Sequence, residues 1–330
     1  MRCETIWIRF MDRDTLMGCP RMSVIIPNWN GLALMRPCLD SLRGQTYRDF
    51  EIIVVDNGST DGSVSALEKE YPETRVLALS ANKGYSGGCN RGIDAARGDL
   101  LVMLNNDTEA DTRWLEALVD AIDRHPEAGS AASRLMIYDK PGVLHSAGDV
   151  YRRDGTANSR GVWEPFGPPY DQERWVFGGC GGAVVYRREM LNEIGLFEEA
   201  FFMYYEDVDI NWRAQLAGWK CVYVPQAVIY HHLSATGGGE LASYYVGRNL
   251  LWVIARNYPG ALLRRYWQEI VSAQWRIARD ALRAWRGKAA RARLRGQLVG
   301  FLTCFRWLRA RQVIQARRRV TLSYIESILD

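Results

Sequence analysis

The chain has 330 residues, of which 48% are apolar and 24% charged, so it is long enough for a real hydrophobic core and is neither disordered nor fibrous. Its net charge of +4 is unevenly divided: residues 248–330 hold 18 of the 42 Lys and Arg but only 4 of the 38 Asp and Glu. A basic tail on an acidic body predicts a negatively charged partner surface, either a membrane or a nucleic acid.

The ends of the chain and its cysteines indicate a cellular compartment. Residues 1–21 show mixed charge and no clear period, which predicts a flexible extension without the layout of a signal peptide. Seven cysteines without paired spacing favour reduced thiols and the cytoplasm. With no run of about 18 apolar residues, we do not expect a membrane-spanning helix.

The first part of the chain alternates between strand and helix patterns. Continuous apolar runs predict four strands, and helical spacing follows each of them. This alternation predicts an α/β fold with a mostly parallel central sheet flanked by helices, and residues 22–130 as a nucleotide-binding half. Polar clusters follow the strands' carboxyl ends, the edge where open α/β sheets bind ligands. The predicted strands are 23–27, 50–55, 75–79 and 100–104, and the predicted helices are 32–42, 63–71, 84–97 and 112–125.

The pattern changes in residues 131–247, which we interpret as a second half of the same domain. Residues 139–172 are rich in Gly, Pro and charge and predict an irregular segment, whereas 175–186 combine strand residues with four glycines. A helix is predicted over 203–217 and a strand over 219–224. From Leu241 onward the pattern is helical, so residues 248–330 form a basic helical C-terminal region.

Two segments suit a nucleotide. Asp56 follows the second strand, where a carboxylate can accept hydrogen bonds from a nucleobase N–H or a ribose hydroxyl, whereas Asp61 is better explained as a turn and helix-cap residue. Residues 82–92 open a helix with glycines and amides, and the free N–H groups of a helix N-terminus suit a diphosphate.

Two further clusters suit a metal. Asn106 and Asp107 follow the fourth strand, where amide and carboxylate oxygens can bind Mg²⁺ or Mn²⁺, although an Asx-rich turn would also explain them. One of the adjacent His231 and His232 is a second candidate ligand, with a purely structural histidine as the alternative.

Three acids begin the helix predicted over 203–217. Glu206, Asp207 and Asp209 lie in its first turn, where the helix dipole favours negative charge and explains one or two of them. An aromatic run leads into these acids, and a carboxylate in such a partly dry setting has the raised pKa of a good general base.

Five ordered motifs carry a family resemblance. They are Val24–Gly31, Val54–Gly62, Asn82–Gly92, Leu104–Thr108 and Glu206–Arg213. Together they resemble the inverting family 2 glycosyltransferases, most closely a rhamnosyltransferase-like branch, over residues 22–256. The resemblance implies a GT-A fold, in which a nucleotide-binding half (22–130) is fused to an acceptor-binding half (131–247).

The resemblance also implies roles for individual residues. Asp207 matches the catalytic base. Asp107, the last position of the family's D-x-D motif, and His231 match metal ligands, with Asn105 standing where the motif has its first Asp. The implied nucleotide-sugar-binding residues are Pro27, Asn28, Asn30, Asp56, Asn82, Gly84, Gly88, Asn105 and Asn106, and the implied acceptor-binding residues are Gly181, Glu206, Trp212 and Arg213.

The implied reaction is a single inverting displacement. A hydroxyl of a glycan or polyprenyl-linked acceptor would attack the sugar of a nucleotide-diphosphate donor, with rhamnose as one candidate sugar and Mg²⁺ or Mn²⁺ as cofactor. This chemistry would serve cell-envelope polysaccharide synthesis. Two other classes stay open: a sugar-phosphate nucleotidyltransferase, which the loop 28–31 disfavours because it lacks a Gly-rich, Arg-bearing sequence, and a decayed, non-catalytic nucleotide-sugar-binding module.

The basic tail carries an amphipathic pattern. Apolar residues recur every three or four positions on one helical stripe, with arginines on the other side. This predicts a helix lying in an anionic membrane interface, on the inner face of the cell membrane. No nucleic-acid motif accompanies the charge, so we expect no nucleic-acid partner. The alternative is that the stripe packs on the catalytic domain or forms a homo-oligomer. Its members are Trp267, Ile270, Val271, Trp275, Ala278, Leu282 and Trp285, and the arginines are Arg276, Arg279, Arg283 and Arg286.

Overall fold

The computed structural model describes residues 19–233 and 238–330. Most of the predicted N-terminal extension, and the Ser234–Gly237 segment after the two histidines, lie outside the described residues.

The first half follows the predicted alternation closely. Apolar β-branched runs form its central strands, and each is followed by a helix or turn at the sheet edge. Each of the seven elements from the first strand to the fourth begins and ends within two residues of its predicted bounds. The elements are β1 Met22–Asn28, α1 Leu32–Arg43, β2 Phe50–Asp56, α2 Ser63–Glu70, β3 Arg75–Ala78, α3 Gly84–Ala95, β4 Leu100–Leu104, β5 Thr108–Ala110 and α4 Trp114–Arg124.

The second half differs more from expectation. The strand predicted over 175–186 is two short strands separated by the glycine-rich turn, and the strand predicted over 219–224 continues to His231. A strand that the sequence pattern missed, β6, runs beside it. The elements are β6 Ala128–Ile137, β7 Leu144–Ser146, β8 Asp149–Tyr151, β9 Ala157–Ser159, β10 Arg174–Val176, β11 Ala183–Arg187, α5 Arg188–Ile194, α6 Glu206–Ala217 and β12 Lys220–His231.

One large sheet organises both halves. Its strand order is β10-β12-β6-β11-β4-β1-β2-β3. Pairing is parallel from β4 through β1 and β2 to β3 and again between β6 and β12, while β11 is antiparallel to both of its neighbours. This is an α/β fold with a mostly parallel central sheet, as predicted. The carboxyl ends of β1 and β4 meet at one edge.

Helices cover both faces of this sheet. One core cluster packs α1 and α4 against one face through residues such as Leu39 and Leu118, and a second packs α3 and α5 against the other through Ile93 and Met190. A third cluster joins α6 to the C-terminal helices around Trp212.

Every element after Gly239 is helical, as the sequence predicted. The first of these helices spans residues 239–257, so the predicted boundary at 247/248 falls inside it, and the predicted boundary at 130/131 likewise falls inside β6. The helices are α7 Gly239–Asn257, α8 Gly260–Arg265, α9 Trp267–Arg283, α10 Lys288–Thr303, α11 Leu308–Ala316 and α12 Leu322–Ser327. Within residues 19–233 and 238–330, no helix combines the length and apolarity that crossing a membrane requires.

Helices α7 and α10 run side by side at close range because glycines lie between them. A Cβ at Gly296 would be 2.2 Å from the backbone oxygen of Tyr244, and one at Gly300 would be 2.7 Å from that of Arg248. The Trp252 indole N–H donates to Thr303 Oγ1 (2.9 Å), which fixes the same alignment one turn further. The pair therefore tolerates no side chain at these glycines.

We predict that Gly296→Ala destabilises the protein by about 1–3 kcal/mol, because the added methyl must push the α7 backbone away. Gly260→Ala is the matched control: it also lies in a helix, but its Cβ would meet only the Arg311 guanidinium at 3.6 Å. Urea unfolding of both variants measures the difference. Equal stability of the two variants would contradict the packing described here.

Candidate active site

A cavity of about 540 Å³ opens at the carboxyl edge of the sheet. Its walls come from the loops after β1 and β4, the start of α3, the glycine-rich turn before β11, and the loop that leads into α6. Eleven of the sixteen predicted site residues line it: Pro27, Asn28, Asn82, Gly84, Asn105, Asn106, Asp107, Gly181, Glu206, Asp207 and His231.

A chain of buried amides forms the floor on the β1 side. Asn28 Nδ2 donates to Asp56 Oδ2 (3.0 Å), and Asn28 Oδ1 accepts from Asn106 Nδ2 (2.8 Å). The second Asp56 oxygen accepts from the backbone N–H of Ser59 (2.8 Å). Asp56 is therefore buried behind Asn28 and fixes its orientation, so Asn28, not Asp56, presents its side chain to the cavity.

Asn30 and Gly88 also shape this wall from behind. Asn30 adopts a left-handed conformation (φ 52°), and its Oδ1 accepts from the Thr60 backbone N–H (2.8 Å), which joins the loops after β1 and β2. A Cβ at Gly88 would lie 2.8 Å from Nδ2 of Asn57, so this glycine lets α3 approach that side chain. Both residues support the site, in place of the ligand contact that the resemblance implied.

The N-terminus of α3 is locked against the loop before α6. Asn82 Oδ1 accepts from the Gly84 backbone N–H (2.7 Å). Gly84 is left-handed (φ +72°), and a Cβ there would lie 2.4 Å from the Phe202 carbonyl oxygen. Only glycine permits this approach, and the Ser86 backbone N–H donates to the same Phe202 oxygen (3.1 Å), so the start of α3 is fixed at the cavity wall.

Asp107 forms a polar chain with two histidines on the opposite wall. His231 Nε2 lies 3.1 Å from Asp107 Oδ1, and His231 Nδ1 lies 2.9 Å from His145 Nδ1. Burial, with the neighbouring His231 ring, lowers the pKa of His145 to about 4, so His145 is neutral at pH 7. Because both Nδ1 atoms share one hydrogen, the state of one histidine fixes the tautomer of the other.

Asp107 and His231 are a suitable but incomplete donor pair for a cation. A carboxylate oxygen and an imidazole nitrogen both suit Mn²⁺, and Asp107 is almost fully buried. In residues 19–233 and 238–330, no three His, Cys, Asp or Glu side chains are grouped closely enough to hold a metal ion by themselves. Further ligands would have to come from a bound substrate and water.

The loop that carries the acids into α6 has an unusual backbone. Phe202, Tyr204 and Tyr205 all have positive φ (68°, 64° and 69°), which costs an L-residue roughly 1–2 kcal/mol each. Helix α7 offsets this cost, because Asn249 Nδ2 donates to the carbonyls of Phe201, Met203 and Tyr204 at 2.7–3.0 Å. The aromatic run thus turns the chain sharply, and the helix starts at Glu206 instead of Met203.

Asp207 is half-buried, whereas the other 11 of the 12 residues of α6 are fully buried. Its Oδ2 accepts from the Gly181 backbone N–H (2.9 Å) and its Oδ1 from that of Val208 (2.8 Å). Burial raises the pKa of Asp207 above its usual range, while these two N–H groups counteract part of the increase.

Two further carboxyls flank Asp207. Burial and the nearby Asp207 charge raise the pKa of Glu206 well above its usual range, and the same two causes do so for Asp149. Neither receives the paired backbone N–H groups that stabilise the charge on Asp207. In this trio Asp207 therefore ionises first, and the other two keep their protons to higher pH.

Trp212 and Arg213 do not reach the cavity, which corrects their predicted acceptor contact. Trp212 is fully buried in the third core cluster. The Arg213 guanidinium donates to Asp209 Oδ2 (2.8 Å) and to the carbonyls of residues 194–196. Because α6 is buried on nearly all sides, a residue of the Glu206–Arg213 motif does not necessarily reach the cavity.

Asn57, His145 and Asp149 also line the cavity and were not among the predicted site residues. Asn57 lies beside the predicted Asp56 and accepts from the Lys83 N–H (3.3 Å). His145 and Asp149 lie in the segment predicted to be irregular. A histidine and an acid four residues apart were the only sequence signal there, and such a pair is too common to identify a site.

The fold and cavity together define an α/β protein of the GT-A type. Residues 23–195, about half of the chain, match the family model described as Glycosyl transferase family 2. The chain therefore belongs to this family, and it is a glycosyltransferase with rhamnosyltransferase homologues.

Similar proteins support this membership. The chain is 33% identical over 232 residues to an N-acetylglucosaminyl-diphospho-decaprenol L-rhamnosyltransferase of Mycobacterium tuberculosis, covering 62% of this chain and 74% of the relative. It is 28% identical to the amylovoran biosynthesis glycosyltransferase AmsB of Erwinia amylovora, covering 71% and 76%. The fold is similar to a crystal structure of GalNAc-T7 with UDP, GalNAc and Mn²⁺ (TM-score 0.60, 18% identity, covering 72% of this chain and 48% of that one).

We predict that Glu206→Gln is more stable than the parent protein, increasingly so as the pH rises above about 4.5. Above its unfolded pKa, Glu206 has lost its proton in the unfolded chain but keeps it in the folded one, so the parent loses about 1.4 kcal/mol per pH unit until the raised folded pKa is reached. Glutamine has no such dependence.

Thermal unfolding of the two proteins from pH 5 to pH 8 tests this. The exposed Glu68→Gln is the control and should follow the parent curve. If the stability of Glu206→Gln changes with pH in parallel with that of the parent, Glu206 is already ionised in the folded protein and the prediction is wrong.

Proposed function

We propose that this chain transfers a sugar from a nucleotide-diphosphate donor to an acceptor hydroxyl with inversion, and that Asp207 is the base. The observation that carries the proposal is the cavity itself, where a partly exposed, backbone-stabilised carboxylate lies across from Asp107 and the N-terminus of α3. Cell-envelope polysaccharide synthesis, the setting of several relatives, is the process that this reaction serves.

The donor occupies the β1 side of the cavity in this proposal. Pro27, Asn28 and Asn57 would contact the nucleoside, with Asp56 behind them, because amide groups match the hydrogen-bonding edges of a base. The positive end of the α3 helix dipole would face the diphosphate. L-rhamnose is the sugar supported by the mycobacterial relative's name.

A divalent cation fits the wall opposite. Asp107 and His231 would hold Mg²⁺ or Mn²⁺, which would supply positive charge to the leaving diphosphate. The donor set supports this, since a buried carboxylate and an imidazole face the cavity 3.1 Å apart. A structural neighbour crystallised with UDP and Mn²⁺ supports it as well.

The acceptor side is formed by α6 and the glycine-rich turn. Asp207 takes the proton from the acceptor hydroxyl as that oxygen attacks the anomeric carbon, and the bond from this carbon to the diphosphate oxygen breaks, which releases the nucleoside diphosphate. Glu206 Oε2 is buried at the cavity without a hydrogen-bond partner within the described residues, so it is available to bind another acceptor hydroxyl, with Gly181 beside it. A glycan or polyprenyl-linked sugar is the proposed acceptor.

Asp207→Asn is expected to lower kcat by roughly 10²–10⁴-fold while leaving donor affinity unchanged, because the amide keeps the shape but cannot accept the proton. Transfer assays with UDP-, dTDP- and GDP-sugars measure kcat, and calorimetry measures donor binding. The exposed Asp139→Asn is the control and should retain full activity. If donor affinity and kcat fell together, Asp207 would be a donor-binding residue and not the base.

His145 is expected to orient His231 for the cation. For His231 Nε2 to bind a metal, its Nδ1 must carry the hydrogen and donate to His145 Nδ1. His145→Phe removes that acceptor and should weaken Mn²⁺ binding about 10–100-fold.

His145→Asn is the matched variant, since its side-chain oxygen can accept the same hydrogen and should restore most of the affinity. Mn²⁺ titration followed by electron paramagnetic resonance, with and without nucleoside diphosphate, gives the affinities. Equal affinity of the Phe variant and the parent would rule out this orienting role.

A further inference from the structure

Helix α9 presents large apolar side chains outward. Trp267, Val271, Trp275, Leu282 and Trp285 are each 51–65% exposed. Four of them lie within the helix and, at 100° per residue, fall within an arc of roughly 80° on one side of it, and Trp285 follows in the turn after Arg283. The single stripe predicted from the sequence is thus divided, because Ile270 is buried against the core while these five face outward.

Helix α10 and the turn after it continue this surface. Leu298, Phe301, Leu302 and Phe305 are 57–69% exposed and follow i, i+3, i+4 and i+7 spacing. The opposite side of α10 carries Gly296 and packs on α7. The predicted alternative, that the stripe packs on the catalytic domain, therefore does not describe these side chains.

The two apolar stripes adjoin. Gln297 Nε2 donates to the backbone oxygen and to Oε1 of Gln274, each at 3.2 Å, which joins α10 to α9. On each helical wheel the glutamine lies between the buried side and the exposed apolar side. The nine exposed side chains of α9, α10 and the turns that follow them therefore form one adjoining outer surface.

Positive charge is concentrated in the segment that carries this outer surface. Residues 261–320 contain 16 Lys and Arg but only two acids, Glu269 and Asp280. Arg283, Arg286 and Lys288, at the α9–α10 turn, are all exposed. Large patches of exposed Trp and Phe are uncommon on a protein that stays in water. Aromatic and aliphatic side chains rimmed by arginines match the boundary between acyl chains and anionic headgroups.

A second copy of the chain fits this surface less well. A symmetric dimer would place the same strongly positive rim of each copy against the other, and like charges across an interface oppose association. Anionic lipid satisfies both features, since it accepts the apolar side chains and neutralises the arginines.

We propose that the outer surface of α9 and α10 docks the enzyme on an anionic lipid bilayer, and that α7 links this surface to the active site. Helix α7 packs on α10 along one side, and its residues Leu241 and Val246 line the cavity. Docking therefore holds the cavity one helix away from the bilayer surface. The inference rests on the proposed function only for the lipid-linked acceptor; the docking itself requires no transfer activity.

The test is sedimentation of the full chain with phosphatidylcholine vesicles that contain about 30 mol% phosphatidylglycerol, and with vesicles of phosphatidylcholine alone. We expect binding to the anionic vesicles at low salt that weakens in about 0.5 M NaCl. The double variant Trp275→Ser/Trp285→Ser should lower the partition coefficient about tenfold or more on both vesicle types. Arg283→Gln/Arg286→Gln should do so on the anionic vesicles alone.

The control Trp163→Ser removes an equally exposed tryptophan (59%) outside these helices and should bind like the parent. Asp207→Asn should also bind normally, which separates docking from catalysis. Three results would overturn the proposal: a parent protein that stays in solution with anionic vesicles, a Trp163→Ser loss equal to that of the double variant, or sedimentation equilibrium showing a parent dimer that Trp275→Ser/Trp285→Ser dissociates without any change in lipid binding.

Discussion

A buried ion cluster around Asp209 holds the active-site helix to the C-terminal region. The fully buried Asp209 carboxylate lies 2.8 Å from Arg213 Nε and 2.9 Å from Arg256 Nε, and it accepts from Asn257 Nδ2 (2.7 Å). Burial alone would raise the pKa of Asp209, but the two guanidinium groups outweigh it and lower the pKa. Removing one partner from such a cluster typically costs 3–5 kcal/mol. Asp209 is therefore a structural acid, half a helical turn from Asp207.

Helix α7 contacts the Asp209 cluster, the loop before α6 and the cavity. Its last residues supply Arg256 and Asn257 to Asp209, its middle supplies Asn249 to the strained loop, and its first turns line the cavity. A loop with three left-handed aromatic residues is stable only when its surroundings fix it strongly. The helical C-terminal region is thus part of the active site's construction, although the residues that it contributes carry no catalytic motif.

The sequence predicted the first half of the fold well because its strands are continuous apolar runs that end in polar turns. It missed β6 because Ala128–Ser133 are small residues with little strand preference, and tertiary packing decides their conformation: a Cβ at Gly129 would lie 2.4 Å from Met190 Sδ. In α6, burial on nearly all sides removes the periodicity that would separate Asp207 from Trp212. His145 reaches His231 across 86 residues of sequence, a contact that no local pattern reports.

The three cavity acids Asp207, Glu206 and Asp149 lose their protons at different pH, and this difference can orient a bound acceptor. Once ionised, Asp207 can only accept hydrogen bonds, whereas a Glu206 or Asp149 that still holds its proton can donate one. An acceptor sugar that presents one hydroxyl hydrogen to Asp207 and another hydroxyl's lone pair to Glu206 is held in a single orientation. The backbone N–H groups of Gly181 and Val208 create this asymmetry, since they stabilise the charge on one carboxyl of the three. In the proposed reaction, the glycine-rich turn would therefore select Asp207 as the base, and the buried surroundings of Glu206 and Asp149 would keep these two as donors.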